Sequence, residues 1–148
     1  MVDCAPVDPD AIEARGLIAE LDAALAAICG DSSAQSFDAN DVRGARSVFL
    51  LARDASGNAL GCGALRPIDD DVAEVKRMYA RPGSGAGVQL LGELERRAVG
   101  FGYRAIWLET RKVNGRAVAF YERHGYRVIP NYGKYVGRED AVCLGKVL

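Results

Sequence analysis

The chain has 148 residues, 49% hydrophobic and 26% charged, a balance that suits one domain of ordinary size and excludes disordered or fibrous classes. Nineteen Lys+Arg against twenty Asp+Glu leave a formal charge of −1, so no bulk field draws the chain to nucleic acid or to an anionic membrane. Apolar runs fall short of the roughly 20 residues of a bilayer span, and the acidic, Pro-punctuated start MVDCAPVDPD is unlike a signal peptide, so a cytoplasmic protein is expected.

Asp8-Pro9 offers an N-cap followed by proline at the first helical position. Ile12, Leu17, Ile18, Leu21, Leu25 and Ile28 then recur near helical spacing, which predicts an amphipathic helix over residues 8–29, ending near Gly30. Residues 31–46 are rich in Ser, Asp, Asn and Gly, with Phe37 their only aromatic, and read as a long loop or short helical turn of the kind that covers a site. Residues 47–53 and 59–66 are β-prone runs around Asp54-Ala55-Ser56-Gly57-Asn58, the pattern of a hairpin. After a turn over 67–71 comes a third strand, residues 72–80, whose imperfect alternation predicts a bulge.

The run Arg81-Pro82-Gly83-Ser84-Gly85-Ala86-Gly87 leads into a helix with Leu91, Leu94, Ala98 and Phe101 on one face, stopped by Gly102. Residues 105–110, AIWLET, read as a buried strand. Residues 114–124 read as a helix with Asn114 as N-cap and Gly125 as the left-handed residue beyond its end. Residues 126–129 and 141–148 read as the last two strands, around a loop with Pro130, Gly133 and Gly137. Without repeat or linker, this order predicts one α/β domain over 1–148, built on a mixed sheet of about six to seven strands flanked by helices.

A strand that runs through glycines into a helix makes an anion site, because backbone amides approach a phosphate and the helix end adds partial positive charge. Gly83, Gly85 and Gly87 therefore point to a phosphorylated ligand, a plain flexible connection being the alternative. A Walker loop is excluded by the missing Gly-Lys-Ser/Thr. A dinucleotide reading would use Glu109 to hold a ribose, but the spacing is GxGxG, the strand carries Glu74, Lys76 and Arg77, and the second half of such a fold is missing. Cys4, Cys29, Cys62 and Cys143 are scattered, form no CxxC pair and have only His124 to complete a metal site, so no metal is expected; Cys29, Cys62 and Cys143 read as buried thiols. A covalent Cys62–His124 route has nothing in the spacing to favour it.

Three segments carry a resemblance. Val72-Ala73-Glu74-Val75-Lys76-Arg77-Met78-Tyr79, the glycine loop with its Leu90-Leu91 helix, and Asn114-Gly115-Arg116-Ala117-Val118-Ala119-Phe120-Tyr121-Glu122-Arg123-His124-Gly125-Tyr126 occur in the order and spacing of the core motifs of the GCN5-related N-acetyltransferases. The chain resembles that family from Val48 to about Leu148. The resemblance implies direct transfer of an acetyl group, in a ternary complex, from acetyl-CoA to a primary amine of a small molecule or peptide.

It further implies that coenzyme A lies along the backbone of Met78, Tyr79 and Ala80, with Asn114 and Arg116 as contacts and pyrophosphate over Gly83, Ser84, Gly85, Ala86, Gly87 and Val88. Where the family's loop carries Gln or Arg this chain has Pro82, so either Arg81 takes over or the amides act alone. Tyr121 is the implied acid for the leaving thiolate, an amphipathic core tyrosine being the alternative. Glu74 is the implied base, its pKa expected to rise on partial desolvation; pairing with Lys76 or Arg77, or deprotonation by water, are the alternatives. Glu109 is a second candidate base and is also expected to contact the acceptor. Tyr132, Tyr135 and residues 31–46 are expected to wall the acceptor pocket, while Asp69-Asp70-Asp71 reads as a solvated tip. A homodimer is compatible with the sequence. A catalytically weak acyl-CoA-binding or sensing module remains the other reading, because of the loop at Pro82.

Overall fold

Short β-prone runs punctuated by turn residues, followed by two strand–helix alternations, build a single mixed sheet. The structure is a computed structural model and describes residues 1–30 and 37–148. In chain order its elements are β1 (Asp3–Pro6), α1 (Ile12–Cys29), β2 (Val48–Arg53), β3 (Ala59–Pro67), β4 (Val72–Ala80), α2 (Ala86–Gly100), β5 (Ala105–Arg111), α3 (Gly115–Arg123), β6 (Arg127–Ile129) and β7 (Ala141–Val147), with one-turn 3₁₀ helices at Ala39–Val42 and Gly133–Tyr135. The seven strands lie in the order β1-β2-β3-β4-β5-β7-β6. Only β4 and β5 run parallel, because α2 makes the crossover between them. Among the described residues no helix is long and apolar enough to cross a membrane.

The expected elements are present, with two differences at the start. β1 was not expected: four residues ending in proline carry no period of their own, and what orders them is pairing with β2, Cys4 opposite Ala52. α1 begins at Ile12 with Ala11 at its N-cap, not at Asp8. The Asp8 carboxylate instead accepts from the Asp10 amide at 2.8 Å and from Arg43 Nη2 at 2.9 Å, so it closes a local turn and is unavailable as a cap. Residues 31–36 of the expected long loop lie outside the described residues; the remainder includes the 3₁₀ turn Ala39–Val42.

Two apolar layers cover the sheet. Leu90, Leu91, Leu94 and Ala98 of α2 pack with Leu50, Leu65, Val75, Ile106 and Leu144 on one face. On the other, Ala14 and Leu17 of α1 meet Phe49, Leu51, Cys62 and Ala64. Beyond α1 that second face continues over β5 and β7, where Tyr135, Ala141 and Cys143 form a smaller cluster. Trp107 lies there too, its ring centroid 5.1 Å from that of Tyr132. A Cβ at Gly145 would meet Trp107 Cδ1 at 2.9 Å, so the indole occupies the space a side chain there would need.

The predicted bulge exists. Cys62 pairs with Tyr79 and Ala64 with Lys76, so two residues of β4, Arg77 and Met78, oppose the single residue Gly63. Arg77 adopts φ 53°, a left-handed conformation that L side chains rarely take. The opposing position requires glycine, since a Cβ on Gly63 would sit 2.7 Å from Met78 Sδ.

Candidate active site

β4 and β5 pair only at their beginnings, Val72 with Ala105, Ala73 with Ile106 and Glu74 with Trp107. Beyond Glu74 the bulge turns β4 toward β3, while β5 is held by β7 as far as Arg111 opposite Ala141. The strands therefore splay, and backbone groups on the facing edges of both are left without each other as partners. A cleft of about 470 Å³ passes through this gap, bounded by Met78–Ala80, Leu108–Arg111, the start of α2 and α3 on one face, and by α1 and Tyr135 on the other.

On the α2–α3 face, Gly85 is the N-cap of α2 at φ 70° and the Ala86 amide donates to Ser84 Oγ at 3.3 Å. The following amides of the first turn have no acceptor inside the helix, which leaves them for an anion. Pro82 and Gly87 line the cleft; Gly83, Ser84, Gly85 and Ala86 form the turn between them, and Val88 is half exposed. Arg81 does not supply the missing cation. Its guanidinium is held by Glu20 of α1, at 2.6 and 3.0 Å, and by the Ala59 carbonyl at 2.8 Å.

Asn114 caps α3 through Oδ1, which accepts from the Ala117 amide at 3.3 Å, and with Arg116 it lines the cleft. Tyr121 lies one helical face further on, its ring edge-on to Phe120 at 5.3 Å and to Tyr126 at 5.7 Å. Burial pushes its hydroxyl pKa well above the ordinary tyrosine value, and among the described residues that hydroxyl makes no hydrogen bond although it borders the cleft. His124 caps α3, Nδ1 lying 2.7 Å from the Phe120 carbonyl, while Cys62 is buried on the opposite face of the sheet. The two do not meet. Cys143 is buried like Cys62, but Cys29 is only half-buried, at the end of α1 beside the cleft.

The α1 face of the gap carries the charge. Glu74, Lys76, Glu109 and Arg111 all border it; Glu74, Lys76 and Arg111 are buried and Glu109 is half-buried. Glu74, 3% exposed, accepts from Arg66 Nη1 at 2.9 Å and from the Tyr132 hydroxyl at 2.6 Å. Both its oxygens are engaged, and the ion-pair partner is Arg66 of β3, not Lys76 or Arg77 as the sequence alternative had it. Strand pairing puts Arg66 directly opposite Glu74, a cross-strand contact that chain spacing does not reveal. Tyr132 reaches the site through that hydrogen bond and does not line the cleft; Tyr135 does line it.

Glu109 receives Arg111 Nη1 on Oε2 at 2.6 Å, and burial raises its pKa in spite of that cation. Its other oxygen has no partner among the described residues. Lys76, 8% exposed, has its pKa lowered to about 8, chiefly by burial. The sequence reading named Lys76 as a partner for Glu74 and as a strand charge against a dinucleotide site, not as a site residue; the signal that would have found it is its place two residues along one strand, on the same face. The described part of the loop, residues 37–46, adds nothing to the cleft wall, contrary to expectation. α1 supplies that wall instead, through Leu21, Leu25 and Ile28, and is pinned across β4 by Asp22–Arg77 at 2.5 Å and Glu20–Arg81 at 2.6 Å.

A family model described as Acetyltransferase (GNAT) family matches residues 16–126. An uncharacterized N-acetyltransferase of Schizosaccharomyces pombe is 35% identical over 89 residues, 57% of this chain and 55% of that protein, so the match spans about half of that curated relative. Among solved structures, one assigned as an acyl-CoA N-acyltransferase from Klebsiella pneumoniae superposes with a TM-score of 0.84 at 28% identity, over 100% of this chain and 98% of that one. A GNAT family acetyltransferase from Elizabethkingia anophelis, solved with acetyl-CoA bound, gives 0.72 at 16% identity over 99% and 98%, a likeness of fold.

Proposed function

The chain belongs to the acetyltransferase (GNAT) family, and from that premise we propose that it moves an acetyl group from acetyl-CoA directly to a primary amine within a ternary complex. The observation that carries this reading is the cleft through the β4–β5 gap, open to two faces of one sheet. Donor and acceptor can then approach the same point from opposite sides without competing for space.

The residues present fit coenzyme A. The unpaired edge at Met78, Tyr79 and Ala80 offers backbone groups to an amide-bearing arm, and the first turn of α2 offers amides to pyrophosphate. Asn114 and Arg116 flank the same opening on α3. Bound there, acetyl-CoA supplies the activated acyl group as a thioester. Backbone donors at the bulge are positioned for charge developing on the acyl oxygen, a contribution of roughly 3 kcal/mol per donor in comparable sites. Tyr121, protonated throughout the physiological range because burial raises its pKa, gives its proton to the leaving sulfur.

Of the two carboxylates, Glu109 rather than Glu74 takes the proton from the amine. It has an oxygen to spare and a raised pKa, whereas Glu74 is held at both oxygens by Arg66 and Tyr132. Glu74 then acts by fixing the point where the strands part.

Release of free thiol from acetyl-CoA against a panel of amines, amino acids and peptides tests the proposal, and turnover of at least one class is expected. The fixed Arg81 and the proline at 82 favour a second reading, an acyl-CoA-binding module. Protection against thermal unfolding by acetyl-CoA with no turnover of any amine would put that reading first.

A further inference from the structure

The apolar stripe of α1 is longer than the core beneath it. Ala14, Leu17, Leu21, Leu25 and Ile28 follow one another at steps of three or four residues and so share one face along the whole helix. The first two pack on Phe49, Leu51, Cys62 and Ala64. Leu21, Leu25 and Ile28 belong to none of the three apolar clusters of the described residues; they border the cleft where β4 and β5 part, which Tyr135 also lines. Leu25 is half-buried and Ile28 is 50% exposed. Ion pairs of Glu20 with Arg81 and of Asp22 with Arg77 hold this half of the helix across β4, so its apolar face can stand over an open gap. The acceptor side thus has two unlike surfaces, charged side chains of β4 and β5 on the sheet and an apolar stripe on the helix above it. Single exposed apolar side chains are ordinary, whereas a stripe that leads into a cleft marks the place of a ligand's apolar part.

Resting on the acetyltransferase reading above, we infer that the acceptor is a primary amine with an uncharged apolar body, which presents its amino group at the β4–β5 gap and lays that body along Leu21, Leu25 and Ile28. The step from Leu21 to Ile28 covers about 10 Å of helix, room for an extended chain and more than a methyl or ethyl group fills. A second charged group within that length would lose water against Leu25 or Ile28. The groove therefore selects for apolar length and against amines that are charged at both ends.

The test measures kcat/KM in the thiol-release assay for ethylamine, butylamine and hexylamine, and for hexamethylenediamine and ε-aminocaproate, which carry a charge at both ends. Activity is expected to rise about two- to fourfold per methylene up to hexylamine, the gain of taking one such group out of water. Hexylamine should exceed both doubly charged analogues about tenfold or more. Leu25→Gln and Ile28→Gln should each flatten the rise, whereas Ile12→Gln, on the same helix but away from the cleft, should leave it as it is. Retained protection by acetyl-CoA against thermal unfolding shows that a variant is folded. Ethylamine or a doubly charged analogue matching hexylamine, or a rise untouched by the Leu25 and Ile28 substitutions, would overturn the inference. Should no amine at all be turned over, the acetyltransferase reading fails by itself, and calorimetric titration of the protein with hexylamine, ethylamine and hexamethylenediamine still decides what the stripe binds. Tighter binding of hexylamine, weakened in Ile28→Gln, upholds the inference; equal or absent binding overturns it.

Discussion

The first three residues of the β4–β5 pair and the residues that follow belong to the same two strands and do opposite things. From Val72 to Glu74 the parallel ladder is closed, Ala73 and Ile106 are fully buried in the α2-side core, and Glu74 is held by two partners. From Val75 to Ala80 the ladder is open, Arg77 is forced to positive φ, and buried Lys76 and half-buried Glu109 border a cleft. The contrast shows where this fold keeps its strained and costly groups: behind a well-paired vertex, in the stretch where the sheet fails to close.

The largest effect is expected from Glu109→Gln in the open half. As a base, Glu109 must be ionised, and burial raises its pKa, so turnover should rise with pH along a limb displaced above the usual carboxylate range. The variant should lose that limb and roughly 10² to 10⁴-fold in kcat while acetyl-CoA still protects it from unfolding. A retained limb would return the role to Glu74 or to water.

Next comes the vertex. Glu74→Gln removes the counter-charge of Arg66 and weakens the Tyr132 contact, and it should lower stability by about 1–3 kcal/mol, read as a fall in Tm, with the pH–rate profile kept. Loss of the acidic limb with Tm unchanged would instead make Glu74 the base and dissolve the contrast between the two halves.

Tyr121→Phe should slow turnover about tenfold, with the KM for acetyl-CoA nearly constant, because the hydroxyl is asked for a proton only as the thiolate departs. An unaltered rate would leave Tyr121 as an aromatic wall packed on Phe120 and Tyr126.

The smallest effect concerns Lys76 and stability. Its folded pKa, about 8, lies below the ordinary 10.5, so at neutral pH the fold carries a buried charge that the unfolded chain does not. Lys76→Met should therefore be more stable than the wild type at pH 7, by on the order of 1 kcal/mol. Between pH 8 and 10.5 the unfolded chain binds more protons than the folded one, so wild-type stability should climb toward that of the variant. Parallel Tm curves for the two proteins would show that the Lys76 charge is compensated within the fold.

The hairpin around Asp54–Asn58, the helix capped by Asn114, the bulge in 72–80 and the glycine run before α2 were all readable from residue order, because each rests on contacts a few positions apart: turn chemistry, a cap, a broken alternation. Tyr121 and the two carboxylates entered as candidates through the resemblance to the family's motifs. The partners of those residues were not readable from residue order. That Glu74 meets Arg66 and Tyr132, that Arg81 turns to Glu20 instead of the loop, and that α1 and not residues 37–46 walls the cleft all depend on strand register and on how one helix lies across the sheet. Even β1 exists only because β2 offers an edge. Local physics determined the elements and the cast of side chains; assignment of charge to charge came from tertiary packing, since a buried ionisable group takes its role from whatever distant segment desolvates or neutralises it.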